Sequence, residues 1–391
     1  MAGPMVNAPV ALPGAAPARR HSIDALRGLA AVAVVLYHWH VFFFDGPDLA
    51  EGFVPAHRPG YAWLHGLYDQ GWLAVDLFFV LSGFVFHWLY TPAIAARRLS
   101  AGRFLALRLS RLYPLHLLTL LAVLGLQTAL RHGSGQVHGP FAVDGYHLLL
   151  QLAMAGKWGL ELAHSFNVPA WSVSVELLMY ALFFAVTRWL PARWWVALAL
   201  VGLGWAVLPL HWWVGRGLVG FFAGGLVWHV HQWAADRTRR TWALGAAATL
   251  AGATVLALRA GAPARPEVLA VALFAPLVLL LVHSEQPLRG LWRRLSPLGD
   301  LSYAVYLLHF PLQLAGVLAA RRLGWAPERF DSPGLMAGFF GLLLGLAWLS
   351  HRQLELPAQR WLRARLALPF SAGSAARPGG PAPRPGSAHR G

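Results

Sequence analysis

The sequence contains no cysteine, which excludes disulfides, thiolate nucleophiles and thiolate metal sites and leaves the redox compartment open. Charge is scarce as well. Only 12% of the 391 residues are Asp, Glu, Lys or Arg, against 57% hydrophobic, a balance that excludes a soluble enzyme and describes a polytopic membrane protein. Acidic residues are the rarer sign, 16 against 32 basic ones. The formal charge of +16 would suit nucleic acid only if the arginines clustered on a wetted domain, and they lie in short loops instead. The opening stretch, MAGPMVNAPVALPGAAPARR, lacks an early basic segment and is not read as a cleaved signal. His38-x-His40 and His229-x-His231 lack a third ligand at helical spacing, so no metal site is expected.

What is present is apolar sequence in membrane-sized lengths. Ten segments can span a hydrocarbon core: 26–44, 71–90, 112–130, 171–190, 194–210, 214–233, 242–258, 267–283, 301–320 and 335–352. An eleventh, Tyr146 to Ala155, is too short and reads as a re-entrant or interfacial helix. The expected fold is all-α, a polytopic membrane helix bundle. One membrane domain over 21–367 is expected between tails 1–20 and 368–391, whose Pro-, Ala-, Gly- and Arg-rich composition favours disorder. With these spans, 23 of the 32 basic residues fall on the side of the N-terminus. The positive-inside rule then puts both termini in the cytoplasm and the protein in the cytoplasmic membrane. Gly220-x-x-x-Gly224 and Gly341-x-x-x-Gly345 read as sites of close helix packing.

Ionisable groups inside such spans are costly and mark function or pairing. Arg27 and His38 share one helix face, about 16 Å apart along the axis. Arg27 and the pair Arg108 and Arg111 lie near the inner surface, whereas His38, Asp76 and Glu176 lie in the outer third and His309 near mid-membrane. Guanidinium forks suit phosphate and pyrophosphate. Imidazole suits proton removal from a hydroxyl, with a carboxylate to fix its tautomer.

Each residue also has a structural reading. Arg108 and Arg111 could anchor lipid headgroups, and Arg27 could pair with Asp24. His38 could bridge helices, and Asp76 and Glu176 could each bind a nearby donor. In Trp171-Ser172-Val-Ser174-Val-Glu176, Ser172 and Glu176 share a face if the entry is helical, and Ser174 joins them if it is extended. Ser302, Tyr306 and His309 form one polar stripe beside Tyr303, which should line a cavity or a partner helix. Leu81-Ser82-Gly83 lacks the first glycine of a serine-protease loop.

The residues Asp24-Ala-Leu-Arg27-Gly28 with His38, Gly71 to Phe84, Arg108-x-x-Arg111-Leu-Tyr-Pro114, Trp171 to Glu176, Ser302-Tyr303-x-x-Tyr306-Leu-x-His309 and Glu355-x-Pro357 stand in order over residues 23 to 357. In this order they resemble the family 3 membrane acyltransferases, which include bacterial O-antigen, exopolysaccharide and macrolide O-acyltransferases. Ala74 departs from that pattern, standing where glycine is common, and the esterase-like domain of two-domain relatives is not expected here. The resemblance implies ten membrane helices, a cytoplasmic acyl-coenzyme A co-substrate (acetyl-coenzyme A foremost) rather than a bound cofactor, and essential roles for Arg27, His38, Arg108 and Arg111. The acceptor it implies is a hydroxyl of a polysaccharide, lipid-linked glycan or small glycoside.

Joined to the depth sorting, this gives one expected mechanism. Arg108 and Arg111 hold donor phosphates, and Arg27 contacts the donor or supports the structure below His38. His38 acts as general base, and Asp76 or Glu176 orients it. Trp171, Ser172, Ser174, Ser302, Tyr303, Tyr306 and His309 line the acceptor path. The competing expectation is a transporter or flippase of a lipid-linked glycan, which explains the polar stripe but not inner arginines matched to an outer histidine.

Overall fold

The computed structural model describes residues 19–365. Apart from Arg19 and Arg20, the tails expected to be unstructured lie outside the described residues.

The first helix, α1 (His21–Tyr37), has no side-chain cap from Arg20. Its N-terminus is satisfied from afar: the Glu285 carboxylate accepts from His21 N at 2.9 Å, Ser22 N at 3.0 Å and Ser22 Oγ at 2.6 Å. A carboxylate there meets both the free N–H groups and the positive end of the helix dipole. Burial works to raise the Glu285 carboxyl, and these hydrogen bonds prevail, holding it below its ordinary value.

The segment does not continue as one α-helix to residue 44. It tightens into a 3₁₀ turn over His38–Phe43, because Gln313 Nε2 donates at 2.9 Å to the His38 carbonyl that a continuing α-helix would use internally. His38 therefore stands at the end of α1 and not within an unbroken span.

A two-residue hairpin, β1 (Phe44–Asp45) and β2 (Asp48–Leu49), pairs Phe44 with Leu49. Then come α2 (Tyr61–Gln70), α3 (Ala74–Ala95), α4 (Ala101–Ser134) and the short α5 (Gly145–Leu152). The last is fastened to α4 by Tyr113, whose hydroxyl donates to Leu152 O, and by His116, whose Nε2 donates to Gln151 O. Next are α6 (Trp171–Trp189), α7 (Trp194–Val207), α8 (Trp212–Trp233) and α9 (Arg237–Arg259). A one-turn α10 (Pro266–Leu269) passes through a π-turn into α11 (Ala275–His283). The chain ends in α12 (Arg289–Leu295), α13 (Pro297–Arg322), α14 (Pro333–Ser350) and, after a second π-turn at His351–Glu355, α15 (Leu356–Arg365).

All ten expected spans are helical over most of their length. Among the described residues, eight helical stretches are long and apolar enough to cross a membrane, while α7 has only 14 residues. The chain is a multi-pass membrane protein of the all-α bundle class.

Lipid offers helices no hydrophobic reason to associate, so close packing depends on small residues. At Gly83 on α3 a Cβ would lie 1.7 Å from Phe221 O on α8, and at Gly224 on α8 it would lie 2.0 Å from Val80 O. Gly83 is thus a packing residue, and the Gly220/Gly224 pair behaves as expected. The Gly341/Gly345 pair does not: a Cβ at either position meets nothing within 4 Å, and α14 runs along the periphery. Gly28 of α1 rests on Leu298 and Gly299 of α13, so these two helices run parallel from the Arg20 face of the bundle to the His38 face.

Candidate active site

At the centre of the bundle, α1, α3, α6 and α13 enclose a cavity of about 60 Å³. Its polar lining is Arg27, Ser82, Ser172, Glu176, Ser302, Tyr303 and Tyr306, with Phe78 and Phe79 among the apolar walls. Of the thirteen candidate site residues, Ser172, Glu176, Ser302, Tyr303 and Tyr306 thus converge from distant parts of the chain, joined by Arg27 of α1. Because α6 begins as a helix at Trp171, Ser172 and Glu176 share the cavity face. Ser174 points elsewhere and accepts from Lys157 N at 3.1 Å.

Arg27 makes no hydrogen bond or ion pair among the described residues. Its expected alternative partner, Asp24, is taken by Arg19 at 2.7 Å. Glu176 contributes a negative field at Arg27 and accepts hydrogen bonds from the Ser82 and Tyr180 hydroxyls. The Tyr306 hydroxyl donates to Pro169 O at 2.9 Å and lies 2.7 Å from Ser172 Oγ. Ser302 Oγ donates to Gly299 O at 2.7 Å.

His38 stands beyond the cavity, toward the opposite face. Its Nδ1 lies 2.9 Å from Val34 O, an atom that can only accept, so Nδ1 carries the proton and Nε2 the lone pair. By the same argument His309 carries its proton on Nδ1, 3.3 Å from Val305 O, and turns the Nε2 lone pair toward His38 Nδ1 at 3.3 Å. His38 Nε2 has no hydrogen-bond partner among the described residues.

Neither expected carboxylate reaches this imidazole; a backbone carbonyl and His309 orient it instead. The reason is that Glu176 is occupied in the cavity and Asp76 is sealed in an ion pair. Asp76 Oδ1 and Oδ2 accept from Arg216 Nε and Nη2 at 3.0 and 2.6 Å, both residues being at most 1% exposed. The rings of Trp72, Trp171, Trp212 and Trp213 surround that guanidinium at 4.4–5.7 Å. Trp171 therefore belongs to the ion-pair cage and not to the cavity wall.

Toward the Arg20 face, Arg108 donates to the Tyr90 hydroxyl and lies over the Phe86 ring at 5.2 Å. Arg111 makes no hydrogen bond or ion pair among the described residues. Tyr303 lies between this pair and the cavity: it lines the cavity, and its hydroxyl donates to Leu112 O at 2.6 Å. At the other end Tyr306 lines the cavity with its ring 6.1 Å from that of His309. The cavity itself touches neither His38 nor Arg108 and Arg111, so these two tyrosines close its ends.

Arg216, Tyr180 and Gln313 were not among the expected site residues, and Ser82 was weighed only as the serine of a protease-type loop. Arg216 carried a usable signal, since an arginine a few residues into a span needs a carboxylate at its own depth, and Asp76 enters the membrane from the same side. His164 was missed too; it lies within electrostatic reach of His38, and burial together with the Lys157 cation pushes its own imidazole down to about 4.

The fold and site define a helical membrane bundle that encloses a polar chamber, with an imidazole of fixed tautomer beyond one end and arginines beyond the other. The family model described as an acyltransferase domain matches residues 20–352, and the chain belongs to that family. It is 32% identical over 188 residues to Acyltransferase MdmB of Streptomyces mycarofaciens, covering 46% of this chain and 43% of that protein. It is 27% identical over 365 residues to the putative membrane-bound transacylase BcsY of Komagataeibacter xylinus, covering 86% of this chain and 82% of the other. Protein 2 in the picA locus of Rhizobium radiobacter is 32% identical over 196 residues, covering 44% of this chain and 83% of that protein. No solved structure matches.

Proposed function

We propose that this membrane acyltransferase moves an acyl group, most simply acetyl, from coenzyme A bound at the Arg20 face to a hydroxyl of a glycan or glycan-like acceptor at the His38 face. The Arg20 face is taken as cytoplasmic, in accord with the positive-inside rule. Phosphates rest on Arg108 and Arg111. The pantetheine arm enters the chamber as Tyr303 and Tyr306 turn aside, and its amides bond the hydroxyls of Ser172 and Ser302. Arg27, free of any ion pair, steadies the polar part of that arm opposite Glu176.

At the far end, His38 Nε2 takes the proton from the acceptor hydroxyl as its oxygen attacks the thioester carbonyl. The C–O bond forms, the C–S bond breaks, and the departing thiolate recovers a proton from the imidazolium. Val34 O and the neutral His309 Nε2 both accept from His38 Nδ1–H, which keeps the base in its working tautomer. Direct transfer needs no covalent enzyme intermediate.

The observation that carries the proposal is the unpartnered Nε2 of His38, fixed in place by a carbonyl at 2.9 Å. A general base contributes about 10²–10⁴-fold. Replacing His38 by Ala should lower release of free coenzyme A from acetyl-coenzyme A, in the presence of a hydroxyl acceptor, by at least that order. Turnover retained in a correctly inserted His38→Ala protein would remove the role. A protein that moves glycan without releasing coenzyme A would instead be a transporter.

A further inference from the structure

Helix α15 packs against α4 beyond residue 352, where the family match ends. It brings Arg363 within electrostatic range of both Arg108 and Arg111. Three guanidinium groups within electrostatic range on two packed helices repel one another, and partial burial deprives them of the water that would screen them. Pairing could remove the cost, yet none of the three makes an ion pair among the described residues. Arg363 reaches only Gln359 Oε1, at 3.3 Å, and Arg108 only the Tyr90 hydroxyl. The Nε atoms of Arg363 and Arg108 are both buried with no hydrogen-bond partner. The neighbouring carboxylate, Glu355, is 3.7 Å from His351 and bonds none of the arginines.

Buried donors without protein partners on neighbouring cations suit an anionic ligand, because a buried charged donor is costly to leave without a hydrogen bond. Planar forks favour phosphate oxygens over a spherical ion. We infer that Arg363, with Arg108 and Arg111, forms a three-guanidinium site for a phosphate or pyrophosphate group, and that α15 is a strap completing the donor site from outside the family-matched residues. The inference rests on the donor-site reading given above and adds a residue that reading does not contain.

The test uses the full-length protein in phosphatidylcholine nanodiscs, titrated calorimetrically with coenzyme A and with pantetheine, which lacks the phosphates. Arg363→Gln should raise the Kd for coenzyme A roughly tenfold or more and leave pantetheine unaffected, while Arg363→Lys recovers part of the loss. Ligand-free Arg363→Gln should melt no lower than the unaltered protein, because a repulsion is removed; a residue acting only in packing would lower it.

Unchanged affinity for coenzyme A in Arg363→Gln, with affinity weakened in Arg111→Gln, overturns the inference and leaves the donor site standing. Failure of the unaltered protein to bind coenzyme A overturns the donor-site reading and this inference with it. If Arg363→Gln alters only the response of stability to added phosphatidylglycerol, the anion is a lipid headgroup and the strap has no part in donor binding.

Discussion

The Asp76–Arg216 pair separates a structural carboxylate from a chemical one. Both side chains are at most 1% exposed, and the guanidinium is bonded through two nitrogens within four indole rings. Removing one partner of such a pair costs about 3–5 kcal/mol, because the other charge is left buried and uncompensated, whereas replacing both by apolar groups of similar volume is near neutral. Asp76→Ala should therefore destabilise strongly. Asp76→Leu combined with Arg216→Met should recover most of the loss, giving a coupling of a few kcal/mol in a double-mutant cycle. Thermal unfolding followed by tryptophan fluorescence provides the stability, and coenzyme A release per folded molecule provides the activity. The double variant should turn over near the normal rate. If it is stable but inactive, or if Asp76→Asn keeps normal stability while losing turnover, Asp76 acts in chemistry and the structural assignment is wrong.

Helix packing and acid sensitivity give two further outcomes. Gly83→Ala drives a methyl group into Phe221 O, so α3 and α8 must separate; the melting temperature should fall sharply, while the same change at Gly341, which faces open space, should have little effect. His138, in the loop after α4, donates from Nε2 to Val41 O at 2.8 Å, and burial and the Arg321 cation push its imidazole down to about 4. Between pH 6.5 and about 4 the unfolded chain binds a proton there that the folded chain refuses, so stability drops as the pH falls through that window and levels off below it. The loss is at most on the order of 3 kcal/mol. His138→Gln should flatten part of that slope in melting curves between pH 7 and 4, and an unaltered slope would assign the effect to other groups.

Much of the architecture was legible because lipid leaves a chain few choices. Backbone groups must bond within helices, so runs of about 20 apolar residues mark the spans, and their placement along the chain follows from hydropathy alone. The polar stripe Ser302, Tyr306 and His309 was legible for the same reason, since helical periodicity assigns it to one face. The break at His38 was not, because it depends on Gln313, 275 residues away, capturing a carbonyl.

Side-chain partnership was the other thing hidden from the linear order. Depth along a span can be counted, so Asp76, Glu176 and His38 could be assigned to similar levels, but azimuth around the bundle cannot, and azimuth decides what meets what. Tertiary packing gave Asp76 to Arg216, Glu176 to Ser82 and Tyr180, and His38 to Val34 and His309. The chain by itself determined that this is a helical membrane protein carrying cations and an imidazole within its spans. Only the folded bundle decided which of those charges were paired and which were left without a partner among the described residues, because that depends on how helices far apart in sequence are rotated against one another.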